Sequence, residues 1–231
     1  MKQKAVVVFS GGQGSTTCLI QALKRYDEVH CLTFDYGQRN REEIDVARHL
    51  ATTLRVTAHK VLDITVLNEL ALSPRMPLSL PAVAIGALPG ALPSTQAGRH
   101  LLFLTLAALY AYQVQARTVI TGVGETDFSG QAQERDPLVD AMSQTLALGM
   151  AYPLTIQTPL RGLSKAHTWA MADAYKQLNL VRYQTLTCVN GLLGSGCGQC
   201  TACHRRAQGL EQYLANQRPL RNDFLERLNG C

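Results

Sequence analysis

The most constraining stretch in this 231-residue chain runs from Ala5 to Leu23. Ala5-Val6-Val7-Val8-Phe9 is apolar and β-branched, and Ser10-Gly11-Gly12-Gln13-Gly14-Ser15 follows it directly. Thr16-Thr17-Cys18-Leu19-Ile20-Gln21-Ala22-Leu23 then has the composition of a helix. Strand, tight glycine loop and helix in that order turn successive backbone N–H groups toward one point, beside the positive end of the helix dipole. Such a loop cradles phosphate. The hydroxyls of Ser10, Ser15, Thr16 and Thr17 beside paired glycines favour that reading over an unliganded βα turn.

The chain beyond this stretch predicts more of the same architecture. Val29–Phe34 reads as a second strand. Ile44, Ala47, Leu50 and Leu54 recur at helical spacing, and Val56–Leu62 reads as a third strand. Alternating strands and helices imply βαβ units, hence an α/β fold with a parallel sheet and flanking helices. Leu72–Gly98 interrupts the pattern with five prolines and a single charge, Arg75, and is expected to be a long apolar loop or lid. Arg99–Gln115 reads as a buried helix and Thr118–Gly122 as a fourth strand, with Gly124–Gln133 as loop. Helices are expected at 136–148 and 164–178, with a strand at 154–157 between them. A basic helix is expected around 205–214. The expected division is a nucleotide-binding unit over 1–186 and a zinc-binding segment over 187–231.

Charge and cysteine content narrow the setting. A formal charge of +5, spread along the chain, suits an anionic small ligand as well as a nucleic-acid face, so direct nucleic-acid binding is not expected. The longest apolar segment, 101–112, is shorter than the ~20 residues of a membrane span, and the start lacks the pattern of a signal peptide. A cytoplasmic protein is expected. Its seven cysteines then point to metal or thiol chemistry rather than disulfides. Cys188, Cys197, Cys200 and Cys203, separated by eight, two and two residues, match a tetrahedral zinc knuckle, with Gly191, Gly194, Gly196 and Gly198 to form its turns. Four thiolates leave no open position for water, so the zinc would be structural. Cys18 and Cys31 read as core residues, and Cys231 has no assignable role.

The glycine loop lacks the Lys of a Walker loop, and Thr17 stands where a dinucleotide fingerprint needs its third glycine. Ser-Gly-Gly-x-x-Ser after a first strand instead resembles the PP-loop of ATP pyrophosphatases. Further motifs sharpen the resemblance: Thr33-Phe34-Asp35-Tyr36-Gly37-Gln38-Arg39, Leu102–Ala108, Thr121-Gly122-Val123, Asp127-Phe128-Ser129-Gly130, Thr158-Pro159-Leu160, Lys165-Ala166, and Thr187-Cys188 through Cys203. Together they resemble the 7-cyano-7-deazaguanine synthases of queuosine biosynthesis over nearly the whole chain.

That resemblance implies ATP-dependent adenylation of the carboxylate of 7-carboxy-7-deazaguanine, attack by ammonia, and dehydration of the amide to a nitrile. It also implies a homodimer. The nucleotide contacts are expected from Val8, Phe9, Ser10, Gly11, Gly12, Gln13, Gly14, Ser15, Thr16, Thr17 and Cys18, with magnesium accompanying the ATP. Lys165, Arg99, Arg135 and Asp127 are the candidate catalytic residues, although each of the three cations is equally readable as a solvated surface charge. The motifs also depart from the family. Gly14 replaces the Asp of Ser-Gly-Gly-x-Asp-Ser, Asn40 a His, and His100 an Asn, while Gln131–Arg135 replaces Tyr-Pro-Asp-Cys-Arg. These changes raise the alternative of a catalytically impaired paralogue that keeps fold, zinc and nucleotide binding. Nucleotide binding is the expectation that survives the loss of the Asp.

Overall fold

In the computed structural model residues 2–38, 40–66, 94–122 and 136–229 are described, with the backbone alone for 94–99, 136–137 and 228–229. Five parallel strands lie in the order β3-β2-β1-β4-β5. They are β1 (Lys4–Val8), β2 (Glu28–Asp35), β3 (Ala58–Asp63), β4 (Thr118–Thr121) and β5 (Thr155–Gln157). Strand periodicity sorts β1 between the two faces of the sheet. Ala5, Val7 and Phe9 join the core under α1 (Gln13–Arg25) and α2 (Glu42–Thr53). Val6 and Val8 pack on the opposite side with α3 (Ser94–Gln113) and α4 (Asp136–Gly149). A sheet covered on both faces accounts for the unbroken apolar run in β1.

The order places β1 in the middle, flanked by β2 on one side and β4 on the other. The chain runs outward from β1 in both directions, which opens a crevice beyond the carboxyl ends of β1 and β4. The glycine loop leaves β1 at that crevice.

Helices α5 (Lys165–Ala174), α6 (Leu178–Gln184), α7 (Thr201–Ala215) and α8 (Gln217–Asn229) complete the chain. Trp169, Val181 and Tyr213 are fully buried between them. Gly209 lets α7 cross α5 closely: a Cβ there would lie 2.6 Å from the Cβ of Lys165. Three expectations need correction. The buried helix begins at Ser94, inside the segment read as loop, so helix propensity in Ser94–Gly98 is realised once Pro93 is passed. The single helix expected over 164–178 stops at Ala174, because Lys176 takes a positive φ of 59° and the chain restarts as α6. The basic helix starts at Thr201, and a second helix, α8, follows it. The remainder of the expected loop at 72–93, and the loop at 124–133, lie outside the described residues. Among the described residues no helix is long and apolar enough to cross a membrane.

Candidate nucleotide site and cysteine knuckle

Helix α1 starts with its N-terminus open. Its cap, Gly12, has no side chain to accept a bond, and the first turn carries no acidic residue. The first N–H groups of a helix have no carbonyl within it, so those of Gly14 and Ser15 find no partner inside α1 and carry the positive end of its dipole. The loop before them is braced internally. Ser10 Oγ accepts from Gly12 N at 3.3 Å and lies 3.1 Å from Ser15 Oγ, which in turn accepts from Ser10 N at 3.3 Å. An anion bound there would meet a pre-shaped loop.

Gly14 does more than loosen this turn. A Cβ at that position would stand 2.7 Å from the carbonyl oxygen of Gly122 and 3.2 Å from Leu160 Cδ1. Reciprocally, a Cβ on Gly122 would meet Ser15 N at 2.5 Å. The start of α1 and the end of β4 are thus in backbone contact, and both positions require glycine.

Beside the loop lies a pocket lined by Val8, Phe9, Ser10, Thr33, Phe34, Tyr36, Gln38, Glu43 and Phe103. Phe34 and Phe103 stack at 4.2 Å, and Tyr36 tilts against Phe103 at 5.6 Å. Flat apolar walls and a few polar groups suit an aromatic base. Glu43, in the first turn of α2, is half-buried, and burial pushes its carboxyl up to about 7. Between about pH 4.5, its ordinary value, and pH 7 the folded protein keeps a proton that the unfolded chain has released. Stability therefore falls as pH rises through that window. Glu43→Gln is expected to stabilise the fold by roughly 1–3 kcal/mol at about pH 8 and to be nearly neutral at about pH 4.5. Urea unfolding at the two pH values measures this, and an equal effect at both would contradict it.

The four cysteines converge as the spacing predicts. The sulfurs of Cys188, Cys197, Cys200 and Cys203 all lie within 4.8 Å of one another. Tetrahedral zinc with bonds of about 2.3 Å would set them about 3.8 Å apart, so the set fits the ion with small adjustments. Backbone N–H groups already point at the sulfurs. Those of Gln199 and then Cys200 pull the Cys197 thiol down to about 6, while burial pushes Cys203 up to about 12. Gly196 has φ +71°, and a side chain there would collide with Cys203 Sγ, so the knuckle closes only around a glycine. His204 stands outside the cluster.

The knuckle also abuts the glycine loop. Leu186 N donates to the Gly11 carbonyl at 3.1 Å, and Gln13 N to Thr187 Oγ1 at 3.4 Å. Asn40, at one of the departures from the family motif, donates to the Cys188 carbonyl at 3.2 Å.

The predicted residues are distributed unevenly about this site. Ser10, Gly11 and Gly12 form the loop, Gln13, Gly14 and Ser15 are already the first turn of α1, and Val8 and Phe9 line the pocket beside it. Thr16, Thr17 and Cys18 are fully buried. Thr17 Oγ1 donates to the Gln13 carbonyl at 2.8 Å and Cys18 belongs to the hydrophobic core, whereas Thr16 Oγ1 has no partner among the described residues. Lys165 opens α5 against Gly209 of α7. Arg99 lies in α3 with only its backbone described, and Asp127 and Arg135 lie outside the described residues. Asp35 is held by Arg41 and by Gly37 N at 3.1 Å. Sequence reasoning missed Glu43 as a pocket residue because it reads as one more charge on an amphipathic helix. It also missed Thr187 and Arg206, which acquire a role only through contacts across more than a hundred residues or between helices.

Comparison with known proteins bears on the fold and the family. A solved 4-thiouridine synthetase, in complex with RNA and bound ATP, shares the fold with a TM-score of 0.51 and 18% identity. The match covers 96% of this chain and 53% of that one, so the chain spans about half of its length. A structure described as a predicted subunit of tRNA methyltransferase from Methanocaldococcus jannaschii aligns with a TM-score of 0.47 at 20% identity, over 78% of this chain and 75% of that one. The profile of queuosine biosynthesis protein QueC matches residues 4–214, from the first residue of β1 into the last turn of α7. With its glycine loop, parallel sheet and cysteine cluster all inside that span, the chain belongs to the QueC family of queuosine biosynthesis proteins.

Proposed function

We propose that the chain is an ATP-dependent synthase that converts 7-carboxy-7-deazaguanine and ammonia to 7-cyano-7-deazaguanine. The observation that supports this most directly is the open N-terminus of α1, set beside an aromatic-walled pocket in a member of this family. In this reading the pocket takes the base of ATP and the loop takes its phosphates. A substrate carboxylate oxygen attacks the α-phosphorus and pyrophosphate leaves, giving an acyl adenylate. Ammonia displaces AMP and loses a proton to form the amide. The amide oxygen then attacks a second ATP, pyrophosphate leaves and the nitrogen gives up one proton, and departure of AMP with the other proton leaves the nitrile. The backbone donors of Gly14 and Ser15 are fixed in advance, so they stabilise charge without reorganising during the step.

Zinc fits the cysteine cluster and would supply a structural clamp. Magnesium is a different case: among the described residues the loop carries no carboxylate, since position 14 is glycine and Asp35 is paired with Arg41. This observation supports a second reading, a family member that binds nucleotide without turnover. The proposed synthase is a homodimer of the cytosol, the compartment where thiols stay reduced.

The test incubates purified protein with ATP, Mg²⁺, ammonium and 7-carboxy-7-deazaguanine and follows AMP and nitrile. Product formation above a protein-free control is expected. ATP binding without either product selects the second reading, and absence of ATP binding defeats both.

A further inference from the structure

Arg206 is a buried cation, 4% exposed, and no carboxylate of the described residues pairs with it. Its guanidinium lies over the Trp169 ring at 5.1 Å and donates to the carbonyls of Val181 and Arg182 at 2.8 and 3.0 Å. It also donates to Thr185 Oγ1 and Thr187 Oγ1, both at 2.8 Å. The two threonines differ in what remains. Thr185 passes its own proton to the Val181 carbonyl at 2.6 Å, so its hydroxyl is complete. Thr187 accepts a second time, from the first N–H of α1 at Gln13. A hydroxyl offers two lone pairs and one proton, so Thr187 has used both acceptor positions and keeps only its O–H to give. It is half-buried, reachable from solvent, and seated against the open end of α1.

Gln13, the residue whose backbone N–H reaches Thr187, carries a buried side chain of its own. It is 2% exposed, yet both its amide oxygen and its amide nitrogen lack a partner among the described residues. Buried amides seldom stay unpaired without a ligand or water to satisfy them.

We infer that Thr187 is a phosphate-binding residue of the nucleotide site, donating its hydroxyl proton to a phosphate oxygen, and that Arg206 is the positioning residue that aims it. The chain Gln13 N–H to Thr187 O–H to phosphate extends the first donor of the helix by one side chain. This inference rests on the proposed nucleotide site. It makes the residue just before Cys188 part of that site, so the knuckle supplies one wall of the cradle.

The experiment compares binding of ATP and of inorganic pyrophosphate by calorimetry across variants of the full chain. Thr187→Val keeps the shape and removes the hydroxyl; it is expected to weaken both ligands by about tenfold or more, the effect of losing a hydrogen bond to a charged group. Thr187→Ser is expected to bind within about threefold of the native protein. Arg206→Lys keeps the charge and loses the fork. It should weaken binding in the native background and cost little further in Thr187→Val, a coupling that a purely structural arginine would not show. Melting curves run alongside, and if Arg206→Lys does not fold the two threonine variants still decide. Native binding matched by Thr187→Val overturns the inference alone. A native protein that binds neither ligand overturns the proposed nucleotide site and this inference with it.

Discussion

Stripping the metal from the four-cysteine cluster is expected to unfold the knuckle and loosen the glycine loop with it. Structural zinc sites are worth roughly 10–16 kcal/mol in small peptides at neutral pH, as much as the whole stability of an ordinary domain. Without the ion, Cys188 and Cys203 hold buried thiols and the turns at Gly191, Gly194, Gly196 and Gly198 enclose little apolar surface. The neighbouring segment then loses its anchor, although Leu186 and Thr187 hydrogen-bond to the loop at Gly11 and Gln13. Trp169 is the single tryptophan of the chain and donates to the Arg206 carbonyl in α7 at 3.3 Å, so its emission reports on the packing of α7. Elemental analysis should find one zinc per chain. A strong chelator should lower the melting temperature, shift tryptophan emission and open the 185–203 region to protease. Acid should have the same effect, since protons compete with the ion for the thiolates as pH falls. A zinc-free preparation with unchanged melting and emission would overturn the structural role of the cluster.

A second large effect is expected at the contact between α1 and β4. Gly14→Asp restores the side chain that the family motif carries, yet its Cβ would stand 2.7 Å from the Gly122 oxygen. The loop and strand must separate by several tenths of an ångström, at a cost of about 1–3 kcal/mol typical of overpacking. The new carboxylate would also sit beside a carbonyl oxygen. Gly122→Ala meets Ser15 N, Ser15 Cα and Gly14 C at 2.5, 2.6 and 2.8 Å, all backbone atoms, and is expected to cost about 3 kcal/mol. Gly149→Ala is the internal comparison. Nothing lies within 4 Å of its added Cβ and it ends α4, so it is expected to stabilise by about 0.5–1 kcal/mol. Urea denaturation of the three variants measures the contrast. If Gly14→Asp unfolds at the native midpoint, the backbone contact is not what excludes a side chain there. Activity lost in Gly14→Asp would reflect a displaced loop, and only a gain would identify a missing carboxylate.

Much of this architecture was legible locally. The run Ala5–Phe9 followed by Ser10–Ser15 named a strand, a loop and a helix because β-branched residues, adjacent glycines and hydroxyls act within a few residues of one another. The cysteine spacing named its own cluster for the same reason. Helix ends were read less well. Ser94–Gly98 looked like loop beside its prolines, and the break at Lys176 depends on one positive φ that no pattern announces.

Three features of the site were decided only by tertiary structure. Glycine at position 14 reads in sequence as a lost carboxylate, and only the approach of Gly122 shows it to be a packing requirement. Glu43 is one charge among several on α2 until Phe34, Tyr36 and Phe103 enclose it. Thr187 lies 174 residues from Gln13 and meets it only because α5, α6 and α7 return the knuckle to the crevice. By itself the sequence determined the glycine loop, the parallel α/β plan and the cysteine set, since each is carried by contacts between near neighbours in the chain. The tertiary structure decided what surrounds that loop, because burial, backbone approach and the last free valence of a hydroxyl are set by residues far away in sequence.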